Sequence, residues 1–575
     1  MRPLHALLTT TLVLASCNSV PGGGPSSDAS DALARVVDLE WEDRLREDAR
    51  EERADGEAAG LRQVGAADHA RRAEKAAEFL AQLEQIDVES LSERDRVTHA
   101  MLARELDERV TSFLSGDWQI PWNSDSGFHT ALARMPSSVD ASDEDELRAY
   151  LERLRAMPGV IDAQIANLRL GMERGWTLPR VILDGFEGSF QVHVVTSAEE
   201  SVFFEPFMGA DEELANQGRE VVMEEVVPAW ERLLEFFVEE YRPGARTTLG
   251  ASEMPGGAEY YASRVRWFTT LDVTPREIHD IGLAEVARIR EAMEAIVSEV
   301  EFEGDLAAFI EYLRTDERFY AKTPEELLSA ASRIAKRADA ELPRFFGNLP
   351  RQPYGVEPVP DSIAPRYTAG RYVSAPRGGT EAGTYWVNTY ALESRPLYVL
   401  AALTLHEAVP GHHLQIALTS ELDDLPAFRR GAYINAFGEG WALYTEWLGV
   451  EMGIYLDPYE EFGRLTYEMW RACRLVIDTG LHAFGWSRDQ AIEYLAGNTA
   501  LSMHECRTEI DRYIGWPGQA LAYKMGEIEI RELRRRAEEA AGDDFDIREF
   551  HDLVLAEGTV PLAVLRGIVE RAYDL

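Results

Sequence analysis

Cysteine is scarce in this chain of 575 residues: only Cys17, Cys473 and Cys506 occur. So few exclude a disulfide framework and any cysteine-rich zinc site. Positive charge is scarce too. Against 101 Asp and Glu stand 58 Lys and Arg, a net of −43, and a field of that sign repels phosphate backbones, which argues against a nucleic-acid partner. Long apolar runs are missing as well, since none after the first residues approaches the roughly 18–20 residues of a membrane-spanning helix. What is present is ordinary for a globular chain. It is 45% hydrophobic and 28% charged, which excludes wholesale disorder, and the length suits two to four average domains or one large enzyme.

Residues 1–17, MRPLHALLTTTLVLASC, read as an address. Arg2 supplies a positive n-region and Ala6–Ala15 a short apolar h-region, too short to persist as a spanning helix. Leu14-Ala15-Ser16-Cys17 resembles the lipobox of bacterial lipoproteins, which implies cleavage before Cys17 and a lipid on its thiol. A Gly/Pro/Ser run follows as a flexible tether. Residues 1–16 are therefore expected to be a signal peptide and 17–32 the lipidated Cys and its linker. Asn18 rather than Asp after the Cys resembles the outer-membrane class, which implies a protein facing the periplasm and held to the membrane through its lipid only.

Most of the remainder reads as helix. Asp143-Glu144-Asp145 precedes a stripe of Leu147, Tyr150, Leu151 and Leu154 that is expected to stop at Pro158-Gly159. Thr274-Pro275-Arg276-Glu277 is a capping box with proline at the first helical position, and Thr323-Pro324-Glu325-Glu326 and Ser487-Arg488-Asp489-Gln490 repeat the device. Ala382–Thr389 is the exception: its aromatic and β-branched residues read as a strand. The Pro- and Gly-rich stretch before it, Gln352–Thr380, reads as loop or irregular edge structure. Residues 33–240 are expected to form an N-terminal helical lobe and 241–575 a C-terminal lobe, the two together one unit.

The chemistry concentrates at Leu405-His406-Glu407-Ala408-Val409-Pro410-Gly411-His412-His413-Leu414. Three of the twelve histidines fall within eight residues, beside a glutamate, on an apolar segment that reads as a buried helix. Ionisable groups are costly there unless paired or bound to metal. Two histidines one turn apart on a helix would converge on one Zn²⁺, with the glutamate between them taking a proton from bound water. Here Pro410 occupies the place of the second histidine, and its ring clashes with the carbonyl four residues back. The helix is therefore expected to kink or bulge, Gly411 absorbing the unusual backbone angles. On a straight helix His412 would point about 240° away from His406 and His413 would lie about 10 Å further along the axis. Pro410-Gly411 reads as an insertion that returns His412 to the metal, with His413 the alternate. A carboxylate ligand is offered 27 residues later by Gly438-Glu439-Gly440-Trp441. Glu446, two turns on along the same face, is the alternate, or the outer partner of the ligand shell.

The pattern His-Glu-x-x-Pro-Gly-His-His, followed by Glu-Gly-Trp-Ala-Leu-Tyr-x-Glu, closely resembles the bacterial DUF885 family, a domain of unknown function near the zincin-like metallopeptidases. Glu259-Tyr260-Tyr261, Gly383–Thr389, Arg474–His482 and Arg512–Lys524 carry the same resemblance. It implies a mainly α, large helical zincin-like fold, akin to helical oligopeptidases and carboxypeptidases, with a deep cleft and a small β element next to the metal helix. Aligning Gly411-His412 with the Gly-His that ends the zinc motif of those peptidases favours His412 over His413.

The activity implied is hydrolysis of a peptide substrate by water activated on one Zn²⁺ per chain, with Glu407 as general base. Zincins place an edge strand beside the metal helix, so the strand at Gly383–Thr389 is expected to receive an extended peptide, with Tyr385, Trp386 and Asn388 as contacts. Tyr513 and Tyr523 are candidate donors to the oxyanion, because related peptidases use C-terminal tyrosines. His482, Arg512 and Lys524 are candidates for a substrate carboxylate. Competing readings stand beside these: packed tyrosines, a buried histidine, and an Arg512–Glu509 pair one turn apart. If the broken histidine spacing prevents convergence, the same cleft belongs to an inactive lipoprotein that binds peptides or partners.

Overall fold

Capping residues set where the long helices begin. In the computed structural model, which describes residues 27–47, 60–124, 126–361, 363–376 and 379–575, α1 spans Ser27–Glu47. The signal peptide, Cys17 and the tether to residue 26 lie outside the described residues. The rest of the expected tether is helix, because Leu33, Val36 and Val37 are buried along one face and Glu40 is paired with Arg44 and Arg109. α2 (Glu144–Arg174) starts where Asp143 accepts the N–H groups of Asp145 and Glu146. It runs through Pro158 instead of stopping there. Met157, Val160, Ile161, Ile165 and Leu168 prolong its buried face, and that burial outweighs the roughly 3 kcal/mol cost of an interior proline.

The C-terminal half carries the site. α3 (Gly257–Thr269) leads to α4 (Pro275–Glu299), opened by the Thr274–Glu277 capping box, and to α5 (Pro324–Phe345), capped by Thr323. Three strands follow: β1 (Tyr354–Pro358), β2 (Gly370–Val373) and β3 (Gly383–Val387). They form one sheet in the order β1-β3-β2, with β1 parallel to β3 (Tyr354 opposite Gly383) and β2 antiparallel to it (Tyr372 opposite Tyr385). The stretch expected to be loop thus supplies two strands. β3 is consequently the central strand, paired on both sides, and cannot accept a peptide along its edge.

Beyond the sheet lie α6 (Leu400–Glu407), α7 (His412–Ser420), α8 (Asn435–Glu451) and α9 (Pro458–Ala483). They are followed by α10 (Arg488–Asn498), α11 (Met503–Gly515) and α12 (Ala522–Ala541). α9 is buried along most of its length, with α4 packed along it and α6, α10, α11 and α12 against its other faces. α8 and α12 cross backbone to backbone. A Cβ on Gly440 would stand 2.5 Å from the Cα of Gly526, and one on Gly526 only 1.9 Å from the carbonyl oxygen of Ala436. The architecture is mainly helical with one small sheet, and among the described residues no helix is long and apolar enough to cross a membrane.

Candidate metal centre

Every residue of α6 is buried, so the helix delivers His406 and Glu407 into the interior. It ends there rather than kinking. Ala408 leaves helical geometry (φ −95°, ψ −112°) and a cis Val409–Pro410 peptide follows. α7 then restarts at His412 behind Gly411. Gly411 is needed for closeness, not for positive φ: a Cβ there would lie 2.0 Å from the carbonyl oxygen of His406 and 2.4 Å from that of Leu405. The Gly411 N–H donates to Leu405 O (3.0 Å), and the Trp441 indole N–H of α8 donates to Pro410 O (2.8 Å).

This fold-back brings His412 to His406. Their rings stand perpendicular with centroids 4.8 Å apart. Nε2 of His406 lies 3.6 Å, and Nε2 of His412 3.7 Å, from Oε2 of Glu439. The three residues offer ligand atoms that all lie within 4.8 Å of one another. Those nitrogen–oxygen separations are too long for hydrogen bonds yet close to the edge of about 3.4 Å between ligands held on one tetrahedral ion by bonds of roughly 2.0–2.1 Å. Among the described residues the Nδ1 of His412 has no hydrogen-bond partner either. Nε2 of His406, Nε2 of His412 and Oε2 of Glu439, gathered at this spacing without hydrogen-bonding one another, fit a divalent cation.

Glu446 stands behind His406. Its Oε1 accepts the Nδ1–H at 2.8 Å and the carboxylate is 1% exposed, which fixes the tautomer that turns Nε2 toward Glu439. Arg471 Nη2 approaches the same oxygen at 4.0 Å. Burial works against a charged His406, but the Glu439 and Glu446 carboxylates raise its pKa to about 9. Burial likewise opposes charge on Glu439, and the two imidazoles facing it hold its carboxyl well below the usual range. His413, the alternate ligand, points elsewhere. Its Nδ1 shares a 3.0 Å hydrogen bond with the Tyr372 hydroxyl, its ring packs on Tyr354, and burial lowers its pKa to about 4.

Glu407 faces the sheet. Its Oε2 accepts the backbone N–H of Tyr372 at 2.8 Å, so β2 turns its outer edge to this carboxylate. The strand beside the site is β2, a correction to the expectation for β3. Tyr385 is fully buried, its hydroxyl 3.4 Å from Thr404 Oγ1. Trp386 points from the opposite face of the sheet and packs on Tyr367. The Asn388 amide donates to the carbonyls of Ala364, Tyr367 and Thr368. All three are committed to the fold rather than to a substrate.

Four further candidates are engaged elsewhere. Tyr513 donates to Glu509 (2.6 Å) and accepts from Arg474 (2.9 Å) and Trp470 (3.2 Å). Arg512 is paired with Glu509 at 2.9 Å and bonded to Gln519. His482 is buried and neutral, its pKa lowered to about 4 by burial. Its Nε2–H donates to Tyr513 O, and Nδ1 accepts from the Ala251 N–H. The Lys524 ammonium is fully buried among Glu468, Glu527 and Glu285 at 2.8–3.0 Å. Such partners leave no donor for a ligand. Tyr523 differs: it is half-buried, with Arg474 4.4 Å over its ring. A residue without a sequence signal joins it, for the hydroxyl of Tyr433 donates to Glu439 Oε1 (3.3 Å). Burial pushes the pKa of that hydroxyl well up, and the charges of Glu439, Tyr523 and Glu407 add to the effect. Tyr433 sits in an ordinary loop, and Tyr372 in a stretch read as irregular; neither belongs to a recognisable motif.

A family model for DUF885, described as a bacterial protein of unknown function, matches residues 50–569. Among solved structures, the "putative lipoprotein from Colwellia psychrerythraea" is 29% identical, with a TM-score of 0.84 over 95% of this chain and 99% of that one. The "putative lipoprotein of unknown function from Shewanella oneidensis" is 17% identical, with a TM-score of 0.70 over 94% of this chain and 100% of that one. The second likeness is one of fold alone. No curated protein matches the chain.

Proposed function

The chain belongs to the DUF885 family, and from that premise we propose that it is a zinc-dependent hydrolase of peptide bonds, zincin-like in its chemistry. The observation that carries this reading is the convergence of His406, His412 and Glu439 at ligand spacing beside an independently anchored Glu407. Zn²⁺ held by those three residues would supply a Lewis acid for the scissile carbonyl and lower the pKa of water. Glu407 is oriented by β2 through one oxygen, which leaves the other free to take a proton from the attacking water and hand it to the departing amine. Tyr433, whose hydroxyl already reaches Glu439, and the half-buried Tyr523 are the candidate donors to a developing oxyanion. Glu446 keeps His406 in the ligating tautomer. The outer edge of β2, apart from the Tyr372 N–H that Glu407 holds, offers backbone to which an extended peptide could add.

The same chain is proposed to be an exported lipoprotein anchored at Cys17 and facing the periplasm from the outer membrane. The lipobox-like Leu14–Cys17 segment supports this, as does the 29% identity to a protein described as a "putative lipoprotein". The test of the enzyme is a pair of variants. Glu407→Gln is expected to retain about one Zn²⁺ per chain and to lose peptide hydrolysis, whereas His406→Ala loses the metal as well. Full turnover by Glu407→Gln would exclude the assigned base. Tight peptide binding without metal or turnover in the wild type would favour a binding protein instead.

A further inference from the structure

Three guanidinium groups gather beside this centre with N–H groups left over. Arg471 and Arg474 follow one another on α9 and are 7% and 4% exposed. The Arg471 guanidinium lies 4.8 Å over the ring of Tyr467 and 5.0 Å over that of Trp470; that of Arg474 lies 4.6 Å over Trp470 and 4.4 Å over Tyr523. Arg395 precedes the Leu397–Val399 turn, which packs onto α9 one turn before Tyr467: a Cβ on Gly463 would lie 2.0 Å from the carbonyl oxygen of Tyr398. Nε of Arg471, Nη1 of Arg474 and Nε of Arg395 are buried without a hydrogen-bond partner among the described residues.

Their counter-charges are shared. Glu446 serves His406 and stands 4.0 Å from Arg471. Glu509 lies 3.3 Å from Arg474 but also serves Arg512 and Tyr513. Glu446 and Glu509 therefore serve Arg471, Arg474 and Arg512 between them, in a chain whose net charge is −43. Buried guanidinium N–H groups are expensive to leave unmade, and a planar fork of donors matches a carboxylate. Through Glu446, Arg471 is one contact removed from His406, so an anion received here sits next to the reacting bond.

Resting on the hydrolase reading above, we infer that Arg471, Arg474 and Arg395 form a subsite for a carboxylate that the substrate carries next to the scissile bond. Two sources have this chemistry, the free C-terminus of a peptide and an acidic side chain. The test uses zinc-loaded Glu407→Gln protein, so that peptides bind without being consumed, and three probes measured by calorimetry: acetyl-Ala-Ala-Phe acid, its C-terminal amide, and acetyl-Ala-Ala-Glu amide. At least one carboxylate-bearing probe should bind about tenfold or more tighter than the neutral amide; tighter acid alone assigns the C-terminus, and tighter Glu amide assigns the side chain.

Adding Arg471→Gln should abolish that preference while zinc content and neutral-amide binding stay unchanged. Arg395→Gln, which removes a half-buried group hydrogen-bonded to Ser394 O, should weaken the preference without risk to the core. Equal binding of all three probes, or no binding of any, overturns the subsite. So does an equal loss for charged and neutral probes in both variants. A carboxylate preference without turnover in the wild type would instead leave the subsite standing and remove the hydrolase.

Discussion

Glu446→Gln isolates what the carboxylate behind His406 contributes. The side chain is 1% exposed, its Oε1 accepts the His406 Nδ1–H at 2.8 Å, and its Oε2 has no hydrogen-bond partner among the described residues. Glutamine keeps the shape and an acceptor for that N–H but removes the charge, so imidazole orientation survives and ligand basicity falls. Losses of this kind run to about 10–100-fold in metal affinity, or roughly 1.4–2.7 kcal/mol. Burial excludes water as a substitute, which points to the upper half of that range. Glu446→Ala should lose more, since it also orphans a buried N–H and opens a cavity. The assay is competition for Zn²⁺ against a chromophoric chelator at fixed pH, with denaturant melts of the metal-free proteins as the control. Zinc affinity within twofold of wild type in both variants would refute the idea that Glu446 supports a metal ligand.

Three other outcomes follow from the packing. Gly440→Ala should destabilise by about 1–3 kcal/mol, because its Cβ meets the backbone of Gly526 and α8 must move off α12; an unchanged urea midpoint would show that the crossing can relax. Lys524→Met should cost about 1–3 kcal/mol by taking one buried charged donor from Glu285, Glu468 and Glu527, which keep Arg288, Arg464 and Arg531 as partners, read as a lowered midpoint in the same titration. Asp478 is buried, accepts from the Tyr261 hydroxyl of α3 and the Gly518 N–H, and has its pKa raised by burial to about 7. It stays protonated in the folded chain up to that pH but ionises above about 4 when unfolded. Unfolding therefore releases a proton, and stability declines as pH rises from about 4 to 7 and levels off beyond. Asp478→Asn should gain on wild type across that window, by on the order of 4 kcal/mol at most; parallel denaturation midpoints at pH 5 and pH 8 would contradict it.

Helix starts were legible because they are written locally. The Thr274 box and the Asp143 and Ser487 caps need only their own side chain and the next turn. The course of α2 through Pro158 was not, since it depends on what lies against Val160, Ile161 and Ile165. β2 is four residues long in a stretch dense with glycine and proline, and its partner is distant in sequence, so no local pattern distinguishes it from loop. At the candidate centre, spacing and residue type could nominate His406, His412 and Glu439 but not the directions of their rings. Direction also separates Tyr523 from Tyr513, and the committed cations Arg512 and Lys524 from the under-bonded Arg471. Those distinctions belong to burial and to neighbours 30 to 60 positions away, such as Glu509 for Arg474 or Glu468 for Lys524.

The turn between α6 and α7 is tied to α8 by the Trp441 indole on the Pro410 carbonyl, and α8 also bears Glu439 and Glu446. One helix thus sets the far histidine, the proposed carboxylate ligand and the brace on the near histidine together. A receptor assembled in advance by its scaffold asks for little rearrangement when a cation arrives. Chelation should accordingly silence the protein while leaving its helices intact, unlike small zinc modules that fold only around their ion.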